Sequence, residues 1–168
     1  GFRINQVLFL PVMAIAFAAA PVAGQNFGAR LQDRVRETFW FAAIVCSAVM
    51  CVMTALCHWQ AARLVGIFTD DPDVIAVGRE FLQMISWNYV ASGLIFTCSG
   101  LFQALGNTLP SLFSSFTRVV TFVLPVLWLA RQPGFQLRDV WLLSVATTGL
   151  QAVFSLWLLR REFSRKLG

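Results

Sequence analysis

Long apolar runs alternate with short polar or charged segments along the whole sequence. A helix that crosses a membrane needs about 20 mostly apolar residues, and five of the runs reach that length. The predicted membrane spans cover residues 5–27, 38–61, 81–105, 109–130 and 140–159. This pattern predicts an all-α integral membrane protein, a bundle of about five transmembrane helices.

The composition excludes a soluble globular domain of this size. Of the 168 residues, 58% are hydrophobic and 12% are charged, and the mean hydropathy is +0.70. A soluble domain has roughly 25% charged residues, and this chain has too few polar residues to cover such a domain's exterior. The net charge of +5 lies in short clusters between apolar runs, which indicates membrane flanks rather than nucleic-acid binding. The predicted partner is therefore the lipid bilayer.

The first predicted span carries a small residue at every fourth position. These residues are Ala16, Ala20, Gly24 and Gly28. They share one face of a helix, and small side chains let a second helix approach closely in a membrane. Gln25 lies beside this stripe near the end of the span, where we expect it to cap the helix and to bond to a neighbour.

The segment before the third predicted span begins with a helix-start signal. Asp71 is a good N-cap and Pro72 a good first helical residue. A helix from there to Leu105 would be roughly 50 Å long at about 1.5 Å per residue, which exceeds one bilayer. We therefore expect a short interfacial helix, a bend near Gly78 and then the third span. Gly106 begins a tight turn that leads into the fourth span.

Polar side chains inside predicted spans are candidates for lining a substrate cavity. The third span contributes Trp87, Asn88, Ser92 and Gln103, and the fourth contributes Arg118. Buried amides need hydrogen-bond partners, either a substrate or a neighbouring helix. The indole offers a π face to a cationic compound or anchors the helix at the interface. The Arg118 guanidinium either lines the cavity or a gate, or it extends along the helix to reach the lipid headgroups.

The spans contain no paired carboxylates, no Ser/His pair and no metal-ligand set, so we predict no enzyme activity and no catalytic residue. No metal site and no cofactor is expected. The four cysteines lie in or at the edges of apolar runs and are interpreted as small apolar side chains.

Three sequence blocks resemble recurring segments of the MATE (multidrug and toxic compound extrusion) transporters. Residues 22–29 read V-A-G-Q-N-F-G-A and are similar to the family's V-G-Q-x-x-G-A stretch. Residues 67–74 read I-F-T-D-D-P-D-V, similar to F-T-x-D-x-x-V. Residues 102–107 read F-Q-A-L-G-N, similar to F-Q-A-x-G-x, and an arginine follows at position 118 as in the family. The order and spacing of the blocks match over nearly the whole chain.

The resemblance implies that residues 1–168 are a partial C-terminal lobe, with spans equivalent to helices eight to twelve of a twelve-helix transporter. The missing N-terminal lobe would then be a partner, and a first residue other than Met agrees with a fragment. The implied activity is secondary-active multidrug efflux. In it, H⁺ or Na⁺ is exchanged for small organic, often cationic, compounds by alternating access.

One departure from the family concerns ion coupling. Some branches carry an acidic residue in the tenth helix, and the third span here has no Asp or Glu. Coupling therefore either depends on carboxylates in the missing lobe, or it is impaired in this copy.

Two alternatives stay open at this point. One is a flippase for lipid-linked saccharides from a related superfamily, which many basic residues in a central cavity would favour. The other is a truncated membrane subunit that does not transport. Seven Lys and Arg residues lie on the side of the C-terminus and five on the other side, with Arg118 not counted. This bias predicts a multi-pass protein of the cell (inner/plasma) membrane with a cytoplasmic C-terminus.

Overall fold

The computed structural model describes residues 2–132, 134 and 136–166, and these residues form six helices and no strand. The helices are α1 (Phe2–Gly28), α2 (Gln32–Gly66), α3 (Pro72–Ile85), α4 (Asn88–Ala104), α5 (Leu109–Leu129) and α6 (Leu137–Lys166).

Four of the described helices, α1, α2, α5 and α6, are long and apolar enough to cross a membrane. The predicted all-α membrane fold is therefore confirmed. The helices α2 and α6 run beyond the predicted spans 38–61 and 140–159, because the charged residues that flank each apolar run continue the helix into the polar region.

The predicted third span, residues 81–105, is divided between two helices, and the predicted bend near Gly78 is wrong. The helix α3 is continuous through Gly78 and ends seven residues later. A Cβ atom at Gly78 would lie 2.9 Å from a methyl carbon of Val65 on α2. The glycine thus permits close packing of α3 against α2 and does not break the helix.

The division occurs at Ser86 and Trp87, where one local side-chain hydrogen bond and one from α2 hold the turn. The Ser86 hydroxyl donates to the carbonyl oxygen of Gln83 at 2.9 Å, and its own carbonyl oxygen accepts from the Thr54 hydroxyl of α2 at 3.0 Å. The backbone N–H of Tyr89 reaches back only three residues, to the Ser86 carbonyl at 3.0 Å. Local side-chain bonds of this kind compete with helix continuation.

The helix α4 lies at the centre of the described bundle and contacts α1, α2, α5 and α6. Its contact with α1 depends on small residues from both helices. A Cβ atom at Gly100 would lie 3.2 Å from the Ala16 carbonyl oxygen and 3.6 Å from the Ala20 Cβ. A Cβ atom at Gly24 would lie 3.8 Å from the Ala104 carbonyl oxygen. Small residues therefore let the two backbones approach closely.

Two buried apolar clusters surround this contact. One joins α1, α2, α3 and α4 and contains Met50 and Tyr89, with the Phe9 ring edge-on to the Tyr89 ring at 5.6 Å. The other joins α1, α2, α4 and α6 and contains Phe39 and Phe102. Both clusters include side chains of α4, so this helix connects the two halves of the core.

The helix start predicted at Asp71 is confirmed. The Asp71 carboxylate accepts from the backbone N–H of Asp73 at 3.0 Å, and Pro72 is the first helical residue. This bond satisfies one of the amide groups that a helix start leaves unpaired.

A buried carboxylate ties three chain segments together at one end of the bundle. Glu162 of α6 is 3% exposed and accepts from the Asn107 amide at 2.9 Å, just after α4. Lys166 lies 3.6 Å from the same carboxylate and donates to the Leu105 carbonyl oxygen. Its ammonium is 5.7 Å from the Phe27 ring centre near the end of α1. The ends of α1, α4 and α6 therefore share one side of the bundle.

We predict that Gly100→Leu destabilises the full-length product of this gene by about 1–3 kcal/mol, because the added side chain must push α1 away from α4. The matched control is Gly149→Leu on α6, where a Cβ atom would meet nothing within 4 Å. The measurement is the free energy of unfolding in mixed micelles titrated with SDS. Equal stability of the two variants would contradict the proposed close contact.

We predict that Glu162→Ala costs about 1–3 kcal/mol in the same assay, because it leaves the half-buried Asn107 amide without its acceptor. The control is Glu37→Ala, which removes an exposed pair with Arg34 at 3.3 Å. Exposed pairs contribute less than about 1 kcal/mol. A Glu162 variant no less stable than the Glu37 variant would show that the cluster does not hold this end of the bundle.

Candidate functional site

A cavity of about 310 Å³ lies between α1, α4, α5 and α6. Six of its lining residues are polar: Ser92, Ser99, Gln103, Ser115, Arg118 and Gln151. The largest apolar lining side chains are those of Met13, Phe17 and Phe96. The Arg118 guanidinium is the only ionisable group among the lining residues. The cavity thus offers hydrogen-bond donors and acceptors on one part of its wall and aromatic rings on another.

Two larger grooves are less suited to selective binding. One of about 650 Å³ lies between α1 and α2, and one of about 750 Å³ lies beside α2 and α6. Most of their lining side chains are apolar, and their charged residues lie near helix ends. A binding site combines apolar walls with a few converging polar groups. The smaller cavity between the four helices, called the polar cavity below, has that combination.

Hydroxyl pairs fix α5 beside the polar cavity. The Ser114 hydroxyl of α5 and the Ser155 hydroxyl of α6 lie 2.6 Å apart, and both residues are buried. The Ser111 hydroxyl of α5 donates to the Ser99 hydroxyl of α4 at 3.0 Å. Bonds of this kind join helices in membranes. They hold α5 against both α4 and α6 on either side of the cavity.

The same bonds determine which residues face each other across the cavity. Arg118 follows Ser114 by one helical turn, and Gln151 precedes Ser155 by one turn. Consecutive helices joined by a short connection run antiparallel. The step forward along α5 to Arg118 and the step back along α6 to Gln151 therefore run in the same direction along the bundle. Residues one turn apart share a helix face. Arg118 and Gln151 therefore lie at one level of the cavity wall.

Gln151 is a buried amide whose hydrogen bonds are not all made. The residue is 4% exposed, and its side-chain oxygen is buried with no hydrogen-bond partner. It is the fifteenth of the thirty residues of α6, near the middle of that helix. An unpaired buried amide costs about 1–3 kcal/mol, which a bound partner would recover.

Three of the predicted cavity residues, Ser92, Gln103 and Arg118, line the polar cavity together. Asn88 and Trp87 lie outside its lining. The Asn88 amide donates to the Ser144 hydroxyl of α6 at 3.4 Å, and its side-chain oxygen has no hydrogen-bond partner. The Trp87 ring is exposed.

Trp87 meets the ring of His58 edge-on, with 5.2 Å between the ring centres. The His58 Nδ1 lies 3.2 Å from the Ser86 hydroxyl, beside the turn between α3 and α4. This aromatic pair is therefore part of the turn region and is remote from the cavity lining.

Among the four residues singled out as structural motifs, Gly106 has a clear backbone role. Its φ of +69° lies in the left-handed region, which glycine adopts without strain. The Asn107 N–H bonds to the Phe102 carbonyl at 2.9 Å, and the Gly106 N–H bonds to the Gln103 carbonyl at 3.0 Å. This is a Schellman motif, and it ends α4.

The other three motif residues lie along α1. Gly24 packs against α4 as described above. Gly28 is the last residue of the helix and is exposed, and a Cβ atom there would meet nothing within 4 Å. Gln25 is exposed, and its carbonyl oxygen accepts from the Ala29 N–H at 3.0 Å. The contact between α1 and α4 therefore does not extend to the end of the stripe.

Sequence reasoning missed two polar residues that matter in the structure. A glutamine in the middle of an apolar run is a functional signal, and Gln151 fits that rule as well as Arg118 does. Glu162 lies past the predicted end of the last span in a basic tail. Its burial depends on residues 55 positions earlier in the chain, so no local signal could have identified it.

We predict that a cysteine at Gln103 reacts with a charged, water-soluble methanethiosulfonate reagent, because this residue is exposed and lines the polar cavity. The experiment uses the full-length protein with Cys46, Cys51 and Cys57 replaced by alanine. The retained Cys98, which is fully buried, is the internal control and should stay unmodified. Equal labelling of both thiols would show that the cavity is not selectively open to water.

Residues 1–129 match the MatE family. The probable multidrug resistance protein YpnP of Bacillus subtilis is 28% identical over 140 residues, which are 83% of this chain and 30% of that protein. The multidrug export protein MepA of Staphylococcus aureus is 23% identical over 165 residues, 95% of this chain and 36% of that protein. The chain thus spans about a third of the length of these curated relatives.

A solved structure of an outward-facing multidrug resistance MATE family transporter of the MOP superfamily has a closely similar fold. The TM-score is 0.91 at 20% identity, over 98% of this chain and 37% of that one. At this identity the likeness concerns the fold.

Proposed function

This chain belongs to the MatE family, and we propose that it forms part of the C-terminal lobe of a secondary-active multidrug transporter. The observation that carries the proposal is the family match over residues 1–129. The full transporter would export small organic compounds in exchange for H⁺ or Na⁺ by alternating access between two lobes. The lobe outside this chain is then its partner within the same protein.

The polar cavity supports transport of small organic compounds. Its volume of about 310 Å³ lies within the range of small-molecule sites. Its one basic lining residue, Arg118, supports this substrate class over the more highly anionic lipid-linked saccharides. The lining contains no carboxylate, so in this proposal ion coupling depends on carboxylates in the part of the transporter outside this chain, or it is impaired. In this proposal the protein moves compounds without catalysing a reaction and without a cofactor.

We further propose that the protein lies in the cell membrane with the end of α6 in the cytoplasm. The ends of α1, α4 and α6 share one side of the bundle. That side carries four basic residues in the tail 160–166 and three in the segment 29–37. An excess of Lys and Arg is typical of cytoplasmic segments.

The first test is the length of the open reading frame around this chain, followed by efflux measurements on its full product. We predict that the frame encodes about seven further apolar spans upstream, the number missing from a twelve-helix transporter. Cells that lack their own exporters and express the full product should then retain less of at least one dye, from a panel that includes the cation ethidium and the anion fluorescein, than cells with an empty vector. Efflux is then measured again after collapse of the proton gradient and, separately, after removal of Na⁺. The treatment that stops efflux identifies the coupling ion.

The matched control is the 168-residue chain expressed alone at the same level. It should not lower retention of any dye in the panel, because alternating access needs both lobes. A start codon immediately upstream would support the non-transporting subunit instead. A full-length product that inserts in the membrane but lowers retention of no tested dye would count against multidrug efflux.

A further inference from the structure

We infer that the polar cavity binds an organic anion, holding its acid group between Arg118 and Gln151. The inference rests on the proposed function, since it assigns a substrate class to the cavity of the proposed transporter.

The charge of the cavity favours an anion over a cation. Arg118 is the only ionisable lining residue, and the lining holds no carboxylate to attract an ammonium group. No ion pair of Arg118 occurs within the part of the chain that the structure describes. Within this chain its positive charge is therefore open to a ligand, and it would repel a cation in the same space.

The depth of Arg118 argues against a headgroup contact. It is the tenth of the 21 residues of α5, about 14 Å from the start of the helix at a rise of about 1.5 Å per residue. The hydrocarbon core is about 30 Å thick, so this position lies near its middle. A charge at that depth is costly unless it faces a cavity or a partner. A ligand acid group would be such a partner.

The opposite wall supplies a second polar group, the Gln151 amide, whose hydrogen-bonding groups are not all satisfied. Gln151 lies at the same level as Arg118, is more than nine-tenths buried and has a side-chain oxygen without a partner. An amide presents either its N–H groups or its oxygen after rotation by about 180°. It can therefore donate to one acid oxygen while the guanidinium fork binds the other. A hydroxyl or protonated group beside the acid group of the ligand would instead donate a hydrogen bond to the amide oxygen.

The remaining wall indicates what the acid group is attached to. Met13 and Phe17 of α1 and Phe96 of α4 line the same cavity. These side chains suit an aromatic or apolar body. The chemical class is therefore an amphiphilic carboxylic acid of modest size.

The test compares three probes that share one ring system and differ in charge. These are 2-naphthoate, neutral 2-naphthamide and the 2-naphthylmethylammonium cation. Their binding to the full-length protein in nanodiscs is measured by equilibrium dialysis. We predict that naphthoate binds at least about tenfold more tightly than the cation, as expected for one charged hydrogen-bonded contact.

Two substitutions separate the acid-group contacts from the ring contacts. Arg118→Gln should weaken naphthoate about tenfold and change naphthamide by less than about twofold. Gln151→Glu should remove the preference for naphthoate, because the new carboxylate would pair with the Arg118 guanidinium. The control, Arg138→Gln, changes an exposed arginine in the first turn of α6 outside the cavity lining and should alter none of the three affinities. Arg118→Lys keeps the charge and should retain the preference for naphthoate, which provides a second variant should the glutamine protein misfold.

Tighter or equal binding of the cation by the wild-type protein would overturn the inference. Arg118→Gln weakening all three probes alike would also overturn it, since that result indicates a structural role. The proposed function fails separately: absence of efflux of every dye in the panel, cationic or anionic, with the naphthoate preference intact would leave an anion site in a protein that is not a multidrug exporter. Dye efflux together with equal binding of the three probes would contradict the anion site and leave the proposed function standing.

Discussion

The close approach of α1 and α4 is the contact on which the rest of the bundle depends. Lipid tails are as apolar as the helix surfaces, so burial of apolar area gives little drive for helices to associate in a membrane. Contact between small residues takes the place of apolar burial, with Gly100 against the Ala16 carbonyl oxygen and the Ala20 Cβ. This contact sets α4 at the centre of the described bundle, where α2, α5 and α6 also pack on it.

The position of α4 also explains why the polar cavity exists. The helices α1 and α5 both pack on α4, and the cavity between them is lined by the α4 residues Ser92, Ser99 and Gln103. The bonds from α5 to α4 and α6 then bring Arg118 and Gln151 to that face. The chemistry of the site thus follows from one tight contact and two hydroxyl pairs.

Much of the fold was predictable because helices in a membrane are encoded locally, by the length of an apolar run and by the residues at its ends. The Asp71 cap and the Gly106 turn have the backbone roles that their residue types predict. The division at Ser86 was not predictable, since it depends on Thr54, 32 residues away. The same holds for the site. The rule that polar residues in spans are functional selected Arg118, but only the rotation of α4 shows that Ser92 and Gln103 face the cavity while Asn88 faces α6.

The turn at Gly106 has a mechanical consequence for the cavity wall. The turn leaves only four residues, 105–108, between α4 and α5, and the bond between Glu162 and Asn107 fixes it to α6. Farther along α5, Ser114 is the only buried residue. A helix that is held near one end by its turn and by two hydroxyl pairs tilts about that end, and its displacement grows with distance from it. The part of the cavity wall that α5 forms is therefore held most firmly at the turn and least firmly at the far end of the helix.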